Sequence, residues 1–248
     1  MTKKNSVSTD SNIIIITGAG QRLGYALAKT LHCQTTPVVI SYRTERASID
    51  ELRSLGIHCI KADFSTNQGI SAFSELILET YQSVRAIIHN ASDWLAESNM
   101  MASCDIMQQM MQIHVQAPYQ INQTLSPRLL NCHAKHNVPA DIIHLTDYVV
   151  DKGSKKHIAY AASKAALANL TLSFSTLLAP KVKVNSIAPS LLMFNETDNE
   201  SYKQKALKKS LMQIAPGEVE GVEAVQYLLN SRYITGTTLH LNGGRQLV

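Results

Sequence analysis

Residues 13–16 are four consecutive isoleucines that run through Thr17 into the glycine-rich turn Gly18-Ala19-Gly20-Gln21-Arg22-Leu23-Gly24, and a helical pattern begins at Tyr25. A short apolar run, bounded by glycines and followed by apolar residues at helical spacing, reads as a buried strand, a tight turn and a helix. A strand buried on both faces belongs to a parallel sheet, and parallel strands need crossover connections, which are nearly always right-handed. The rest of the chain repeats this unit. Strand patterns are expected at 13–17, 37–42, 57–62, 84–89, 141–146, 182–187 and 238–241, and helices at 25–32, 47–55, 69–81, 107–130, 159–178 and 218–229. The predicted class is α/β, a single-domain doubly wound parallel sheet.

A loose leader is expected over 1–12 and one domain over 13–248, because no tract rich in Pro, Gly or Ser marks a boundary. The polar, Lys-rich stretch 195–210 has no strand pattern and reads as a covering segment. Apolar residues make up 45% and charged residues 17%, which excludes a disordered or fibrous chain. The net charge of +4 is spread along the chain, so no nucleic-acid partner is expected. No apolar run approaches the ~20 residues needed to cross a bilayer, and the start MTKKNSVSTD has no apolar core, so no membrane association and a cytoplasmic location are expected. Cys33, Cys59, Cys104 and Cys132 form no C-x-x-C pair and read as reduced, mostly buried thiols. His133 and His136 have no carboxylate or thiol cluster beside them, so no metal site is expected.

Ligands of open α/β sheets sit beyond the carboxyl ends of the strands, where Gly18, Gly20 and Gly24 lie. Small residues let backbone N–H groups approach a pyrophosphate, and the following helix adds the positive end of its dipole. A plain glycine-rich turn is the bland alternative for this motif alone. The end of the second strand reads Ser41, Tyr42, Arg43, Thr44, without the carboxylate that holds the ribose hydroxyls of NAD. Arg43, with Arg22 nearby, is suited to charge-assisted bonds to a 2′-phosphate, so NADPH is expected over NADH. Glu45 nearby weighs against that preference, and a solvated surface charge is the alternative for Arg43.

Tyr160 and Lys164 are four residues apart in a helical run, so they share a face. An ammonium beside a phenol favours the phenolate and would bring a pKa near 10 toward neutrality, which suits proton transfer. A surface tyrosine packed on a lysine stem is the alternative reading of this pair.

The segments TGAGQRLG, HNAS at 89–92, YAASK at 160–164, NSIAPS at 185–190 and ITGTTLHLNGG at 234–244 occur in this order, and together they resemble the short-chain dehydrogenase/reductase family over about 13–244. That resemblance implies a Rossmann fold and hydride transfer. Arg22 stands where most members have a second glycine, and Asp147 stands thirteen residues before the tyrosine, where most have serine. Ser92 replaces a common glycine, and Trp94, the only tryptophan, lies four positions after Asn90. These four departures resemble the pteridine reductase branch, as do the stretches ISYRTERASID, KADFSTNQGI, MMQIHVQAP and KVKVNSIAPSLLMFNE. The resemblance implies NADPH-dependent reduction of 7,8-dihydromonapterin to its tetrahydro form, with secondary reduction of dihydrofolate.

By that resemblance Tyr160, Lys164 and Asp147 are the catalytic residues. Gly18, Arg22 and Arg43 hold phosphates, Asp63 the adenine, Asn90 the adenosine ribose side and Lys164 the nicotinamide ribose, while Pro189 and Ser190 border the nicotinamide. Leu23, Thr44, Phe64, Ala91 and Tyr160 complete the cofactor set. Ser92, Trp94, Asp147, Tyr160 and Arg22 form the substrate set, with Trp94 stacking on the pterin and residues 191–210 closing over it. A carboxyl suits a C=N substrate, because it shares protons with the phenol and accepts from amide and amino N–H groups. Asp147 as a turn cap and Trp94 as core are the bland alternatives. His114 aligns with a helix-borne asparagine of the family's proton relay and is not assigned a catalytic role. A homotetramer follows by family analogy. Two rivals remain at this point: a carbonyl reductase of the same fold acting on ketones or oxoacyl groups, and a non-catalytic NADPH-binding sensor.

Overall fold

The isoleucine run is the middle of a sheet. The computed structural model describes residues 12–97 and 101–248, and there β1 (Asn12–Ile16) pairs with β2 (Val38–Tyr42) on one side and β4 (Ser83–His89) on the other. With β3 (His58–Lys61), β5 (Ala140–Leu145), β6 (Val182–Pro189) and β7 (Thr238–Leu241) they form one seven-stranded, wholly parallel sheet in the order β3-β2-β1-β4-β5-β6-β7. The order reverses between β1 and β4, and in such sheets a crevice opens beyond the strand ends at that point.

Side chains alternate across a strand, so the run serves both faces at once. Ile14 and Ile16 pack with Leu23 and Leu27 of α1 (Arg22–Leu31), Ile49 and Leu52 of α2 (Ala47–Ser54) and Val225 and Leu228 of α9 (Glu218–Asn230). Ile13 and Ile15 pack on the other face. Their partners are Ile70 and Phe73 of α3 (Asn67–Thr80), Ile121 and Leu125 of α5 (Ala117–His136), and Phe174 and Leu178 of α7 (Ile158–Leu178). The sheet thus has helices on both faces, which is the doubly wound arrangement.

Four local expectations are corrected. Asn12 is not part of a loose leader: it opens β1, and its side chain accepts from the Ser83 hydroxyl at 3.0 Å. Residues 1–11 lie outside the described residues. The single helix expected at 107–130 is three pieces: α4 (Ser103–Met111), a π-helical turn (Gln112–Gln116) and α5. One extra residue in the π turn leaves the apolar pattern nearly helical, so periodicity cannot reveal it. Two one- and two-turn helices add to the expected set, α6 (Val149–Lys152) and α8 (Glu200–Leu207), the latter inside the stretch read as a cover. The cysteines are free, but Cys33 and Cys104 are exposed, Cys59 is half-buried and only Cys132 is buried. No helix of the described residues is long and apolar enough to cross a membrane.

Candidate active site

At the switch point a cavity of about 420 Å³ opens against the glycine turn. Gly18 has φ +65°, and a Cβ there would lie 2.6 Å from the Ala91 Cα; at Gly24 a Cβ would meet the Asn90 amide at 2.5 Å and the Ala19 Cα at 2.8 Å. Both glycines are therefore required by the close approach of β1, the turn and the end of β4. Asn90 fastens this junction, since its side-chain amide donates to the carbonyls of Thr17 (3.1 Å) and Gly18 (2.9 Å). Thr17 completes it by accepting from the N–H groups of Asn90 and Ala91. The first turn of α1 has no side-chain cap, which leaves its N–H groups for an anion.

Arg22 has φ +55°, a left-handed conformation that costs a non-glycine residue about 1–2 kcal/mol. Its guanidinium donates to the Asn195 side chain at 2.6 Å and the Met193 carbonyl at 3.1 Å, so it ties the turn to the segment after β6. Arg22 and Leu23 line the cavity together with Gly18, Asn90, Ala91 and Ser92, and Leu191 to Met193 close the opposite side.

The end of β2 gives the cavity its other rim, from Arg43, Thr44 and Arg46. Arg46 was not among the expected residues. Arg43 is ion-paired with Asp93 at 3.2 Å across the opening. Glu45 is turned away, accepting from the Tyr42 hydroxyl at 2.6 Å and pairing with Arg53 at 3.0 Å. The carboxylate that weighed against a phosphate is thereby neutralised locally. Asp63 and Phe64 line the same end, with the Asp63 carboxyl held below its usual range by the Ser65 N–H and the Arg43 charge. Phe64 also packs edge-on against Phe73 at 5.3 Å.

The second half of the site lies along the ends of β5 and β6. Asp147 follows β5, and its Oδ2 accepts from the Tyr160 hydroxyl at 2.8 Å while its Oδ1 accepts from the Val149 N–H at 3.0 Å. Burial pushes the Asp147 carboxyl up, and the Val149 N–H, Tyr160 and Lys164 oppose that rise. Lys164 is fully buried, donates to the Leu145 carbonyl at 2.8 Å and lies 5.7 Å from the Tyr160 ring centre. Burial lowers its pKa to about 8. The expected easing of the phenol toward phenolate is overturned: burial and the Asp147 charge hold the Tyr160 pKa well above its ordinary value. In this environment the phenol keeps its proton and hydrogen-bonds Asp147 with it.

Pro189 ends β6, its carbonyl accepting from the Tyr148 N–H, and Ser190 lines the cavity with its hydroxyl on the Asn242 carbonyl at 3.1 Å. Trp94 is 63% exposed, so it is not core. One face stacks on the His157 ring, with centroids 4.2 Å apart and planes at 21°. His157 directly precedes α7 and is tied to the Leu95 carbonyl at 2.9 Å. His114, on the π turn, is buried and touches Ser92 at 2.9 Å and Ser163 at 2.8 Å.

The geometry thus brings Gly18, Arg22, Leu23, Arg43, Thr44, Asp63, Phe64, Asn90, Ala91, Ser92 and Ser190 around one cavity. It gathers Asp147, Tyr160 and Lys164 into a second, contiguous group. Sequence reading missed Asp93, His157 and Asn195, because each acts through a loop contact that leaves no periodic trace. Ser163 lay within a quoted motif and could have been found from its place three residues after Tyr160.

The short chain dehydrogenase family profile matches residues 12–206. The chain is 55% identical over 234 residues to the dihydromonapterin reductase of Klebsiella pneumoniae, covering 94% of this chain and 96% of that one. It is 54% identical over 239 residues to the dihydromonapterin reductase of Escherichia coli O6:H1, covering 96% and 98%. Among solved structures it is similar to the FolM alternative dihydrofolate reductase 1 of Brucella canis complexed with NADP, with a TM-score of 0.82 and 22% identity over 98% of this chain and 97% of that one. The Pseudomonas aeruginosa RhlG/NADP complex matches with a TM-score of 0.85 and 22% identity over 97% and 98%. At that identity these two likenesses speak for the shared sheet alone.

Proposed function

The chain belongs to the short-chain dehydrogenases, and from that premise we propose that it reduces 7,8-dihydromonapterin to its tetrahydro form with NADPH, and dihydrofolate more slowly. The observation that carries the substrate class is the Asp147 carboxyl 2.8 Å from the Tyr160 phenol. A ketone reductase needs a neutral hydroxyl donor there, whereas a C=N bond beside amide and amino N–H groups suits a carboxyl that both exchanges a proton and accepts. The relatives at 54–55% identity bear the name of this activity.

The cavity suits NADPH: the glycine turn lines it, α1 points an uncapped N-terminus at it, and Arg22, Arg43 and Arg46 supply cations, with Glu45 held away by Tyr42 and Arg53. When bound, NADPH supplies the hydride. In this reading Gly18, Leu23, Arg22, Arg43 and Thr44 hold its phosphates, Asp63 and Phe64 the adenine, Asn90 and Ala91 the adjoining ribose. Lys164 holds the second ribose, and Pro189 and Ser190 border the nicotinamide. Tyr160 donates its proton at the ring nitrogen of the substrate, and Asp147, whose carboxylate accepts from the phenol, takes up a proton from solvent and passes it to the phenolate oxygen. The positive charge of Lys164 steadies the phenol oxygen as the proton leaves. Trp94, backed by His157, offers its open face to a flat ring, Ser92 and Arg22 bind the polar edge, and residues 191–210 exclude water. The reading includes a single domain over 13–248, a cytoplasmic location and a homotetramer.

NADPH oxidation followed with 7,8-dihydromonapterin and 7,8-dihydrofolate tests this. Turnover favouring the monapterin and reduced at least a hundredfold in Tyr160→Phe is expected. A protein that ignores both pterins but reduces a simple ketone, or an Asp147→Ser variant that gains ketone activity and keeps dihydropterin activity, would overturn the assignment.

A further inference from the structure

The proton on the buried His114 imidazole is placed by its neighbours. The Asp93 backbone N–H points at Nε2 from 3.3 Å. A backbone amide only donates, so Nε2 is the acceptor, and Nδ1 carries the hydrogen. That hydrogen goes to the Ser163 hydroxyl at 2.8 Å, and Ser163 in turn gives its own to the Tyr160 carbonyl at 2.7 Å. Every partner is satisfied in one direction only. The imidazole is neutral, because burial and the Lys164 charge disfavour its protonation.

The remaining neighbour is Ser92, whose oxygen lies 2.9 Å from Nε2. A nitrogen and an oxygen in contact at this distance need one hydrogen between them, and Nε2 has none, so Ser92 supplies it. The other acceptor in its reach, the Asp93 carbonyl, is longer at 3.4 Å. With its single hydrogen turned into the protein, the Ser92 oxygen presents only lone pairs to the cavity it lines.

We propose that His114 is a specificity-positioning residue: it fixes the Ser92 hydroxyl as an obligate acceptor, so that the site selects a substrate edge rich in N–H donors. A pterin has such an edge, in its amino and amide groups; a ketone does not. A hydroxyl free to rotate would serve either. The fixed one leaves a donor-poor ligand facing unpaired lone pairs, which is the kind of mismatch that discriminates well between substrates. This inference rests on the dihydropterin reading above and names the residue that enforces it.

Two isosteric substitutions separate the two arms of the imidazole. Asparagine places its amide near the Nδ1 position, so His114→Asn keeps the Ser163 bond and removes the acceptor for Ser92. Glutamine places its carbonyl near the Nε2 position, so His114→Gln keeps the Ser92 bond and removes the other. In steady-state assays His114→Asn is expected to raise the KM for 7,8-dihydromonapterin about five- to tenfold with kcat nearly unchanged. His114→Gln is expected to restore the KM to within about twofold of wild type. Ser92→Ala is expected to raise the KM by a similar factor, and adding His114→Asn to it to raise it no further. Equal KM values in wild type and His114→Asn, or additive effects in the double variant, would overturn the inference while leaving the dihydropterin reading intact. A loss of kcat and thermal stability shared equally by Asn and Gln variants, with KM constant, would also overturn it, as a purely structural histidine. Failure of the wild type itself to turn over any dihydropterin would remove the functional reading and this inference with it.

Discussion

Lys164 is the residue whose chemistry is most altered by its position. Its ammonium is fully buried, with the Leu145 carbonyl as acceptor, and burial brings its pKa to about 8. In the proposed mechanism it steadies the Tyr160 oxygen while charged, below that value; above it the charge is lost. Turnover at saturating substrate is therefore expected to fall about tenfold per pH unit above about pH 8. Lys164→Met is expected to be slow and flat over the same range. A wild-type profile level to pH 10 would mean that the charge takes no part. The pairing of Tyr160 with Lys164 was legible because four residues on a helix share a face. The direction of the phenol shift was not, because spacing reports neighbours but not burial, and here burial and Asp147 set it. Trp94 was legible as a flat residue near the site, but its support by His157 depends on a loop path that no motif records.

The element that joins site to scaffold is β5. Asp147 stands just beyond its carboxyl end, while Asp141, near its start, is fully buried between Arg85 of β4 and Lys183 of β6. The two cations reach past it to the last carbonyls of α9: Arg85 donates to Leu229 at 2.8 Å, and Lys183 to Leu228 at 2.8 Å and to Ser231. One carboxylate thus anchors three strands and caps a helix whose C-terminal dipole favours cations. Asp141→Asn leaves the buried Lys183 and the partly buried Arg85 without their counter-ion and is expected to destabilise the fold by about 3 kcal/mol in urea unfolding. The kcat of the folded fraction should stay unchanged, since the residue lies at the far end of the strand. A loss under 1 kcal/mol would mean that the carbonyls alone satisfy both cations. The strands themselves were readable from apolar runs, because two-sided burial leaves a strong compositional mark. The π turn and α6 were not, as a single inserted residue and a four-residue helix are too short to shift a period.

Across the whole molecule, three buried histidines form part of the polar wiring between sheet and helices. His89 reaches the Asn122 carbonyl oxygen at 2.7 Å, Asn122 reaches His144 at 3.2 Å, and His144 reaches Thr171 at 2.8 Å, joining β4, α5, β5 and α7. His114 makes a parallel connection between the π turn, the Ser92 loop and α7. Burial holds all three neutral: it lowers His89 to about 4, and His144 and His114 well below their usual value. In the unfolded chain each takes up a proton near pH 6.5, so the unfolded state binds more protons and folding stability falls as pH drops through that value. Between pH 7 and 5.5 each histidine costs about 1 kcal/mol, and the three together a few kcal/mol, which is a large part of an ordinary domain's stability. His58 and His32, shifted in the same direction, add to the slope. Asp147 has a raised carboxyl and acts in the opposite sense, which confines the clean reading to the range just below the unperturbed histidine value. Urea unfolding at pH 7 and 5.5 is expected to show this drop, and equal stabilities would mean that the three side chains are protonated in the fold. The two donors to His114 Nε2 link this to chemistry, because a protonated imidazole cannot take the Ser92 hydrogen. Since burial keeps His114 neutral in the fold, the substrate KM of the folded fraction should stay level between pH 7 and 5.5 while stability falls, and a KM that rises first would mean a local loss of the acceptor.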